Sequence, residues 1–362
     1  MRFVIVQNSI RTVYLFRLRY IQKLLRIGEV VVIAPNDCAR SFSLLEELGV
    51  IVKKISNIDT FFGKLKAVYS SNFYVLHERL LGSVFICHFL VTFLTNYITM
   101  VPFNRRLIIY TEGLGSFFTR SAAFRSLLKI LLVKNRAMRL FCNASEKQLI
   151  GDTKDVVTGG IGIDLSKFRP QSTQIILCGT RKLLFVGRLI KDKGIYDALY
   201  VLRKLRSDGL DVSLTVVGDV YPSNPTSMSH HDIEAVKNEL GDSVDFVGYS
   251  HNVISYYEDA DVLIFPSIRE GFPVSVMEAN AMGIPVVGYY VPGVSDAVRV
   301  GVNGLLATYG DREELYRITK EVIDVHNANN YRSNSIQFAR KNFSDDEKSQ
   351  YLVDQLQLLV DK

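Results

Sequence analysis

The sequence predicts an α/β protein made of two doubly wound domains, each built on a parallel sheet. Short apolar runs rich in Val and Ile alternate with amphipathic segments at the spacing of βαβ units. The chain has 362 residues, about twice the usual domain length. A glycine-rich segment, residues 159–170, ends in a proline and is typical of a hinge. We therefore predict domains at residues 1–165 and 166–344, followed by a final helix at 345–362.

Strands and helices alternate from the start of the first domain. The predicted strands are residues 3–6, 29–34, 50–55, 107–110 and 137–142, and the predicted helices are 15–26 and 41–48. Residues 80–102 are apolar enough to span a membrane by length. His88, Thr92 and Asn96 argue against a span, so we expect a buried or peripheral helix there.

The second domain repeats the pattern. Its predicted strands are residues 182–187, 213–218, 245–248, 261–265 and 284–288. Helices are expected at 195–206, from Pro273 to just before Gly283, and at 345–360, where Leu352, Leu356 and Leu359 share one face.

Composition favours an ordinary globular protein, with 48% hydrophobic and 22% charged residues. The cysteines, Cys38, Cys87, Cys142 and Cys178, are scattered without a CxxC pair, which argues against a disulfide framework or a zinc site. A reducing cytoplasm is the compartment expected for such a chain. The opening apolar run is too short for a signal peptide and is expected to continue as a strand.

Positive charge is concentrated in the first domain. Residues 1–165 hold 22 Lys and Arg against 11 Asp and Glu, a balance of +11, although the whole chain carries only +6. No nucleic-acid motif accompanies this charge. Two interpretations stay open: a solvated basic face, or peripheral attachment to an anionic membrane through residues 80–102 and nearby cations. Those cations are Arg105, Arg106, Arg125, Lys129, Lys134, Arg136 and Arg139.

Residues 266–279 place two carboxylates, Glu270 and Glu278, on either side of a strand-to-helix transition. Glu270 follows a strand at the edge where open α/β sheets bind ligands, and Glu278 lies about one and a half turns into the helix. Between them, the amides of Gly271, Phe272 and the helix opened by Pro273 favour a phosphate. A nucleotide sugar presents both kinds of group: its sugar hydroxyls would bind the carboxylates, and its diphosphate would bind the amides. The alternative is a helix cap and a solvated side chain.

Residues 187–194 follow the first strand of the second domain and carry Arg188 and Lys193. Both cations would flank the same crevice and could stabilise negative charge on a leaving phosphate. The alternative is an exposed basic turn.

Together these motifs resemble family 4 of the retaining glycosyltransferases. The resemblance is strongest from 183 to 306 and weakest between 57 and 104. It implies the GT-B fold of two facing Rossmann-like domains, with the C-terminal helix crossing back to the first. It also implies that Glu270 contacts the transferred sugar, Glu278 the ribose, and Arg188 and Lys193 the pyrophosphate.

The resemblance further implies a reaction. A hexose or N-acetylhexosamine would move from a nucleotide diphosphate sugar, expected to be UDP-linked, to a lipid-linked or growing surface polysaccharide at the inner face of a bacterial membrane. No cofactor or metal is expected, because cations take that place. The Asp259-x-Asp261 pair is discounted because it precedes its strand, at the end opposite the predicted site. A nucleotide-sugar epimerase and a non-catalytic subunit of a transferase complex remain the alternatives.

The first domain offers fewer candidates. In similar bacterial members the loop after the strand 107–110 faces the donor, which makes Glu112 a candidate to accept the acceptor proton or stabilise an oxocarbenium ion. Helix capping is the alternative. His77 follows an apolar run that we interpret as a strand end, where it would contact the acceptor or be structural. Asp296 stands where the family usually has Glu, so its role stays open.

Overall fold

The computed structural model describes residues 1–55, 60–101, 105–114, 122–133, 135–170 and 179–360. Lys134 and Cys178, named above, lie outside these ranges. Two compact units divide the chain: Met1–Ile161 with Asp345–Lys362, and Gly162–Ser344. We refer to them as unit 1 and unit 2.

In the described part of unit 1, seven parallel strands form one sheet in the order β3-β2-β1-β4-β5-β6-β7. They are β1 (Arg2–Val6), β2 (Glu29–Pro35), β3 (Ile51–Ile55), β4 (Val84–His88), β5 (Leu107–Thr111), β6 (Met138–Phe141) and β7 (Val156–Val157). The central strands are apolar throughout because helices cover both faces of a parallel sheet. Val4, for example, pairs in register with Val31 on one side and Phe85 on the other, and all three are fully buried.

The helices of unit 1 connect these strands. They are α1 (Ile10–Leu25), α2 (Ala39–Glu47), α3 (Phe61–Leu80), α4 (Leu90–Thr95), α5 (Tyr97–Met100), and the helices Ala122–Val133, Ala144–Ile150 and Asp345–Leu358. The last of these packs along α1, where Lys23 contacts Asp346 at 3.0 Å and Arg19 contacts Asp345 at 3.4 Å. The expectation that the C-terminal helix returns to the first domain is confirmed.

Unit 2 repeats the architecture with a parallel sheet of order β10-β9-β8-β11-β12-β13 in its described part. Its strands are β8 (Arg181–Val186), β9 (Val212–Val217), β10 (Val244–Gly248), β11 (Val262–Phe265), β12 (Val286–Tyr289) and β13 (Gly304–Ala307). Its helices are Ile195–Ser207, His230–Leu240, Ile254–Glu258, Val274–Ala281, Val294–Ala297, Arg312–Val322 and Val325–Asn342.

The prediction of a helix over residues 80–102 is wrong. Residues Val84–His88 form the buried strand β4, and α4 and α5 follow as two short helices. An apolar run of this kind fits a buried strand as well as a buried helix, and the strand pairs with β1 and β5. Pro102 lies outside the described residues. Within the described ranges, no helix combines the length and apolar character needed to cross a bilayer.

Candidate active site

The candidate site of unit 2 lies where the strand order reverses. The chain first adds β9 and β10 on one side of β8 and then β11, β12 and β13 on the other. Loops at the carboxyl ends of β8 and β11 therefore flank a topological switch point, the usual ligand crevice of open α/β sheets. These loops carry Arg188 and Lys193 on one side and Glu270 on the other.

Glu270 is held by side chains from both loops. Nζ of Lys193 donates to Oε1 of Glu270 at 2.5 Å, and Oγ of Ser267 donates to the same oxygen at 2.7 Å. Ser267 is fully buried, whereas the Glu270 side chain is 13% exposed. The sequence analysis predicted that Lys193 and Glu270 lie in one site, and in the structure their side chains are in direct contact. Ser267 was missed, although it lies only three positions before Glu270.

Two glycines allow the loops to approach each other. Gly194 has φ +80°, and a Cβ there would lie 2.2 Å from the carbonyl oxygen of Pro266. Gly293 has φ +82°, and its Cβ would lie 2.2 Å from the carbonyl oxygen of Glu270. The amide of Glu270 also donates to the carbonyl of Pro292 at 3.3 Å. The backbone around Glu270 is therefore packed between two neighbouring loops, which only glycine permits at this distance.

The segment after Glu270 leads into the helix Val274–Ala281. Pro273 is the N-cap of this helix, with φ −74° and ψ 118°, and not its first helical residue as expected. The helix therefore begins at Val274, one residue later than the sequence suggested. The ring of Phe272 packs edge-on against Phe343 with centroids 5.9 Å apart, which fixes the segment that contains Gly271. The N–H groups of the first helical turn have no helical partner and can meet an anion.

Glu278 lies in the same helix and has its own polar environment. The hydroxyl of the fully buried Tyr257 donates to its Oε2 at 2.9 Å. Burial raises the pKa of Glu278 to about 7, although the Tyr257 hydrogen bond and the charge of Lys167 act in the opposite direction. This carboxyl is therefore poised to change charge near neutral pH.

Arg188 lies in the loop that follows β8. Its guanidinium stacks over the ring of Tyr221, 5.0 Å from the centroid, and the side chain is exposed. This contact is separate from the Lys193 and Glu270 pair. It orients an accessible cation, the geometry expected for a group that meets an anionic ligand from solution.

Unit 1 has a polar cluster at its own switch point, between β1 and β4. Glu112 follows β5 and is almost completely buried. Arg17 of α1 donates to its Oε2, and Nδ1 of His88, the last residue of β4, lies 2.5 Å from its Oε1. Burial opposes ionisation, but Arg17 and His88 outweigh it and lower the pKa of Glu112 to about 2. Glu112 is therefore ionised at neutral pH.

The protonation of His88 follows from its neighbours. Burial and the Arg17 charge lower its pKa to about 4, against the opposing effect of Glu112, so the ring is neutral at pH 7. A neutral ring beside a carboxylate donates from Nδ1, and its Nε2 then accepts from the Tyr20 hydroxyl at 2.8 Å. Gln7, at the end of β1, extends the network by accepting from Nε of Arg17 at 3.1 Å.

Arg17 and His88 are functional candidates that the sequence analysis missed. Arg17 falls on the buried face of α1 with Ile10, Val13 and Leu24, so helical periodicity could have identified it as a buried cation in need of a partner. His88 ends the apolar run of β4 at the ligand-binding edge of the sheet. That signal was hidden because the run was assigned to a helix.

Three other residues are now placed. His77 is exposed in the last turn of α3, so the strand end proposed for it is wrong; the run before it continues a helix that begins at Phe61. Asp296 accepts from the amide of Gly293 at 3.2 Å. Asp261 accepts from the amide of Lys182 at 2.8 Å, at the amino end of β11 and away from Glu270. Within the described residues, no group of three or more His, Cys, Asp or Glu is arranged to hold a metal ion.

Comparison with known proteins identifies the domain that carries this site. Residues 180–324 match the family described as Glycosyl transferases group 1. Unit 2 contains a group 1 glycosyltransferase domain. The match includes Arg188, Lys193, Glu270 and Glu278.

Relatives of the group 1 domain include the capsular polysaccharide biosynthesis glycosyltransferase CapM of Staphylococcus aureus, 28% identical over 45% of this chain and 43% of CapM. The 2-deoxystreptamine glucosyltransferase of Streptomyces kanamyceticus is 35% identical over 39% of this chain and 35% of that protein. The chain thus matches less than half the length of these curated relatives.

Solved structures extend the similarity to both units. The structure of Anabaena HepE in complex with UDP and glucose aligns over 99% of each chain with a TM-score of 0.76 and 18% identity. The lipopolysaccharide outer core galactosyltransferase WaaB aligns over 98% of each chain with a TM-score of 0.66 and 16% identity. The GT-B fold expected from the sequence is confirmed.

Proposed function

We propose that this protein is a retaining, metal-independent glycosyltransferase of family 4 that moves a hexose or N-acetylhexosamine from a nucleotide diphosphate sugar to an acceptor. The observation that carries the proposal is the cluster of Glu270, Lys193 and Ser267 at the switch point of a group 1 glycosyltransferase domain. A carboxylate, a cation and free helix amides at one crevice supply what a sugar and its diphosphate require.

A UDP-linked donor is our proposal for the substrate. HepE, which has the same fold, was crystallised with UDP and glucose and with UDP-glucose. In our assignment Arg188 and Lys193 bind the diphosphate together with the amides near Gly271, Phe272 and Pro273. Glu270 contacts the transferred sugar, and Glu278 accepts from a ribose hydroxyl.

The chemistry follows from this assignment. The bond between the anomeric carbon and the diphosphate breaks, the acceptor hydroxyl forms the new glycosidic bond on the same face, and its proton leaves with the diphosphate. Positive charge develops on the sugar and negative charge on the leaving group, as in glycoside hydrolysis. Lys193 and Arg188 stabilise the leaving group electrostatically, without a metal.

The low pKa of Glu112 supports one of its two candidate roles. A carboxylate with a pKa of about 2 is a weak base at neutral pH and a permanent negative charge. We therefore propose that Glu112 stabilises an oxocarbenium ion electrostatically and that it does not accept the acceptor proton.

For the acceptor we propose a lipid-linked or growing surface polysaccharide at the cytoplasmic face of a bacterial membrane. CapM is named as a capsular polysaccharide biosynthesis glycosyltransferase, and WcaL of Salmonella typhimurium carries the name of a colanic acid biosynthesis glycosyltransferase. Both names support this class of acceptor. His77 remains our candidate acceptor contact in unit 1.

The decisive experiment incubates the protein with a panel of nucleotide sugars, with and without a bacterial membrane extract, and measures free nucleoside diphosphate. We expect release only when donor and acceptor are both present, unchanged by EDTA, and a product whose anomeric proton coupling matches that of the donor. Calorimetry with UDP, GDP and ADP should give heat with UDP alone. Diphosphate release without acceptor would favour an epimerase, and an absence of turnover with intact UDP binding would favour a non-catalytic subunit.

A further inference from the structure

Helix α3 has its large apolar side chains on the outside. They share one side of the helix and are all exposed: Phe61, Phe62, Leu65, Val68, Tyr69, Phe73, Leu76 and Leu80. At 100° per residue they cover an arc of roughly 140°, as wide as the core-facing stripe of an ordinary amphipathic helix. Phe62 is 81% exposed and Leu80 is 80% exposed. We call these eight residues the α3 face.

The opposite side of α3 is more polar than the exposed side. The residues it buries are Ala67, Ser71, Val75 and Glu78. Ser71 donates to Oδ1 of Asn96 at 2.8 Å, and Glu78 accepts from Nε of Arg2 at 2.6 Å. A water-facing helix normally has the reverse pattern. The helix is thus anchored to unit 1 by these polar contacts together with Ala67 and Val75, which join the core, and its apolar arc faces outward.

The neighbouring helix α5 extends the same surface. Arg79 of α3 donates to the carbonyl of Thr99 at 2.8 Å, and Thr99 donates to Oδ1 of Asn72 at 2.6 Å. These bonds fix α5 against α3. Ile98, next to Thr99, is 81% exposed. An apolar patch of this extent marks an interaction surface.

The exposed charged side chains of α3 itself have one sign. Lys64 and Lys66 are exposed and lie on either side of the apolar arc, and Arg79 lies near its far end. The acidic side chain of α3, Glu78, is fully buried and paired with Arg2. The exposed part of this helix therefore joins aromatic and aliphatic side chains with cations, the combination of helices that lie in a membrane interface.

We propose that the α3 face docks unit 1 onto an anionic lipid bilayer, with Phe62, Tyr69 and Phe73 inserted at the headgroup boundary and Lys64 and Lys66 on the lipid phosphates. A second copy of the chain is the poorer occupant. A two-fold symmetric interface would bring the same cations together across it, and this repulsion is absent against an anionic surface. The docking segment is thus α3 with the adjacent Ile98, and not the apolar run of β4, which is buried.

The test is co-sedimentation of the full chain with vesicles of phosphatidylcholine containing about 30% phosphatidylglycerol. The triple variant Phe62→Ser, Tyr69→Ser, Phe73→Ser should lower the partition coefficient by about tenfold or more, since each side chain loses a hydrophobic contact with lipid. The matched control Tyr249→Ser, Val300→Ser, Tyr309→Ser removes three exposed apolar side chains from unit 2 and should bind as the wild type does. Circular dichroism and Tm of both variants should stay near wild type, because the six side chains are exposed.

The charge component is tested separately. The pair Lys64→Glu, Lys66→Glu should weaken binding by about tenfold or more, while Lys237→Glu, Lys341→Glu makes the same change in net charge within unit 2 and should have little effect. Wild-type binding should weaken at about 0.5 M salt.

The proposal is overturned if the wild type does not bind these vesicles, or if the α3 triple variant binds as tightly as its control. It is also overturned if that variant turns a dimer into a monomer with vesicle binding unchanged, because a second copy would then cover the α3 face. No substrate is present, so the result does not depend on the proposed activity.

Discussion

Nζ of Lys193 lies 2.5 Å from Oε1 of Glu270, and this contact joins the loops that follow β8 and β11. Ser267 donates to the same oxygen at 2.7 Å. The described contacts of the Glu270 side chain therefore converge on Oε1, which leaves Oε2 for a ligand. A carboxylate oriented in this way by a buried hydroxyl and a partly buried ammonium group meets its substrate with little loss of conformational entropy.

Glu270→Gln should abolish transfer while the fold survives. The amide keeps the size of the side chain but removes the negative charge that Lys193 neutralises and that the sugar would meet. We expect a fall in kcat of about a hundredfold or more with Tm changed by only a few degrees. Turnover within a few-fold of wild type would show that Glu270 is not the chemical group we assign.

Ser267→Ala should reduce kcat with little change in KM for the donor. The variant removes one of the two donors to Oε1 and lets Glu270 rotate about its Lys193 contact. A loss of about tenfold is expected for a positioning residue. Ser243 is also buried and hydrogen-bonds a backbone carbonyl, that of Leu240, but does not contact Glu270, so Ser243→Ala is the matched control and should leave kcat within a factor of about two. Equal effects of the two variants would argue that Ser267 only stabilises its loop.

Gly293→Ala should damage the site more than Gly310→Ala. Both glycines have a positive φ, +82° and +83°, so both substitutions strain the backbone, and Gly293 also has a ψ of −41°, outside the left-handed helical region. They differ in space: the Cβ at position 293 meets the carbonyl oxygen of Glu270 at 2.2 Å, whereas nothing lies within 4 Å at position 310. Donor affinity measured by calorimetry should fall for Gly293→Ala and stay near wild type for Gly310→Ala. Matching affinities would show that the Glu270 loop tolerates displacement.

The sequence predicted the sheets well because buried parallel strands have a strong local signature. The strands β8, β9, β10 and β11 were each expected within one residue of their bounds. Glu270 and Lys193 were expected at the same crevice because strand order and loop position follow from a doubly wound topology. The partners of Glu112 could not be found this way. Arg17 and His88 lie 95 and 24 positions from it in the chain, and only the packing of α1 and β4 brings them together.

The misplaced helix over residues 80–102 has a different cause. Periodicity does not separate a buried strand from a buried helix, and the polar residues His88 and Asn96 argued only against a membrane span. The same ambiguity hid α3, because its outward face is apolar and its inward face carries Ser71 and Glu78. The run 74–76, which we interpreted as the end of a strand, is part of this helix.

Glu278→Gln should raise stability at alkaline pH and weaken donor binding. The folded-state pKa of Glu278, about 7, lies above its ordinary value of 4.5, so the folded protein binds this proton more tightly than the unfolded chain. Stability from this group therefore falls as pH rises from about 4.5 to 7 and stays low above that. At about pH 8 the free energy of unfolding of the variant should exceed that of wild type by up to about 3 kcal/mol. At about pH 4.5 the two values should be equal.

The measurement is Tm of both proteins across this range, together with UDP calorimetry at about pH 8. Glu321→Gln, which changes an exposed carboxyl of the helix Arg312–Val322, is the control and should leave the pH dependence unchanged. We expect UDP affinity to fall about tenfold in Glu278→Gln because an amide accepts a ribose hydroxyl less strongly than a carboxylate. If Glu278→Gln were less stable than wild type at every pH, the buried Glu278 carboxylate would not be destabilising, and its raised pKa would be wrong.

The burial of His88 beside Arg17 should make unit 1 sensitive to acid. The pKa of His88 is lowered from 6.5 to about 4 by burial and by Arg17, so between these values the unfolded chain binds a proton that the folded protein does not. Stability from this group is intact above about pH 6.5 and falls as pH drops toward 4, by up to about 3 kcal/mol. The carboxylate of Glu112, with a pKa of about 2, stays ionised through this window and keeps its contact with Arg17.

His88→Asn tests this directly, because the amide nitrogen of Asn can donate to Glu112 as Nδ1 of the ring does, yet Asn does not titrate. The variant loses the bond from Tyr20 and should have a lower Tm at about pH 7. Its Tm should nevertheless fall less than that of wild type between about pH 6.5 and 4.5. His77→Asn replaces an exposed histidine on α3 and should retain the wild-type slope. If His88→Asn also kept that slope, the acid sensitivity would have to come from other groups, and the neutral state assigned to the His88 ring would be wrong.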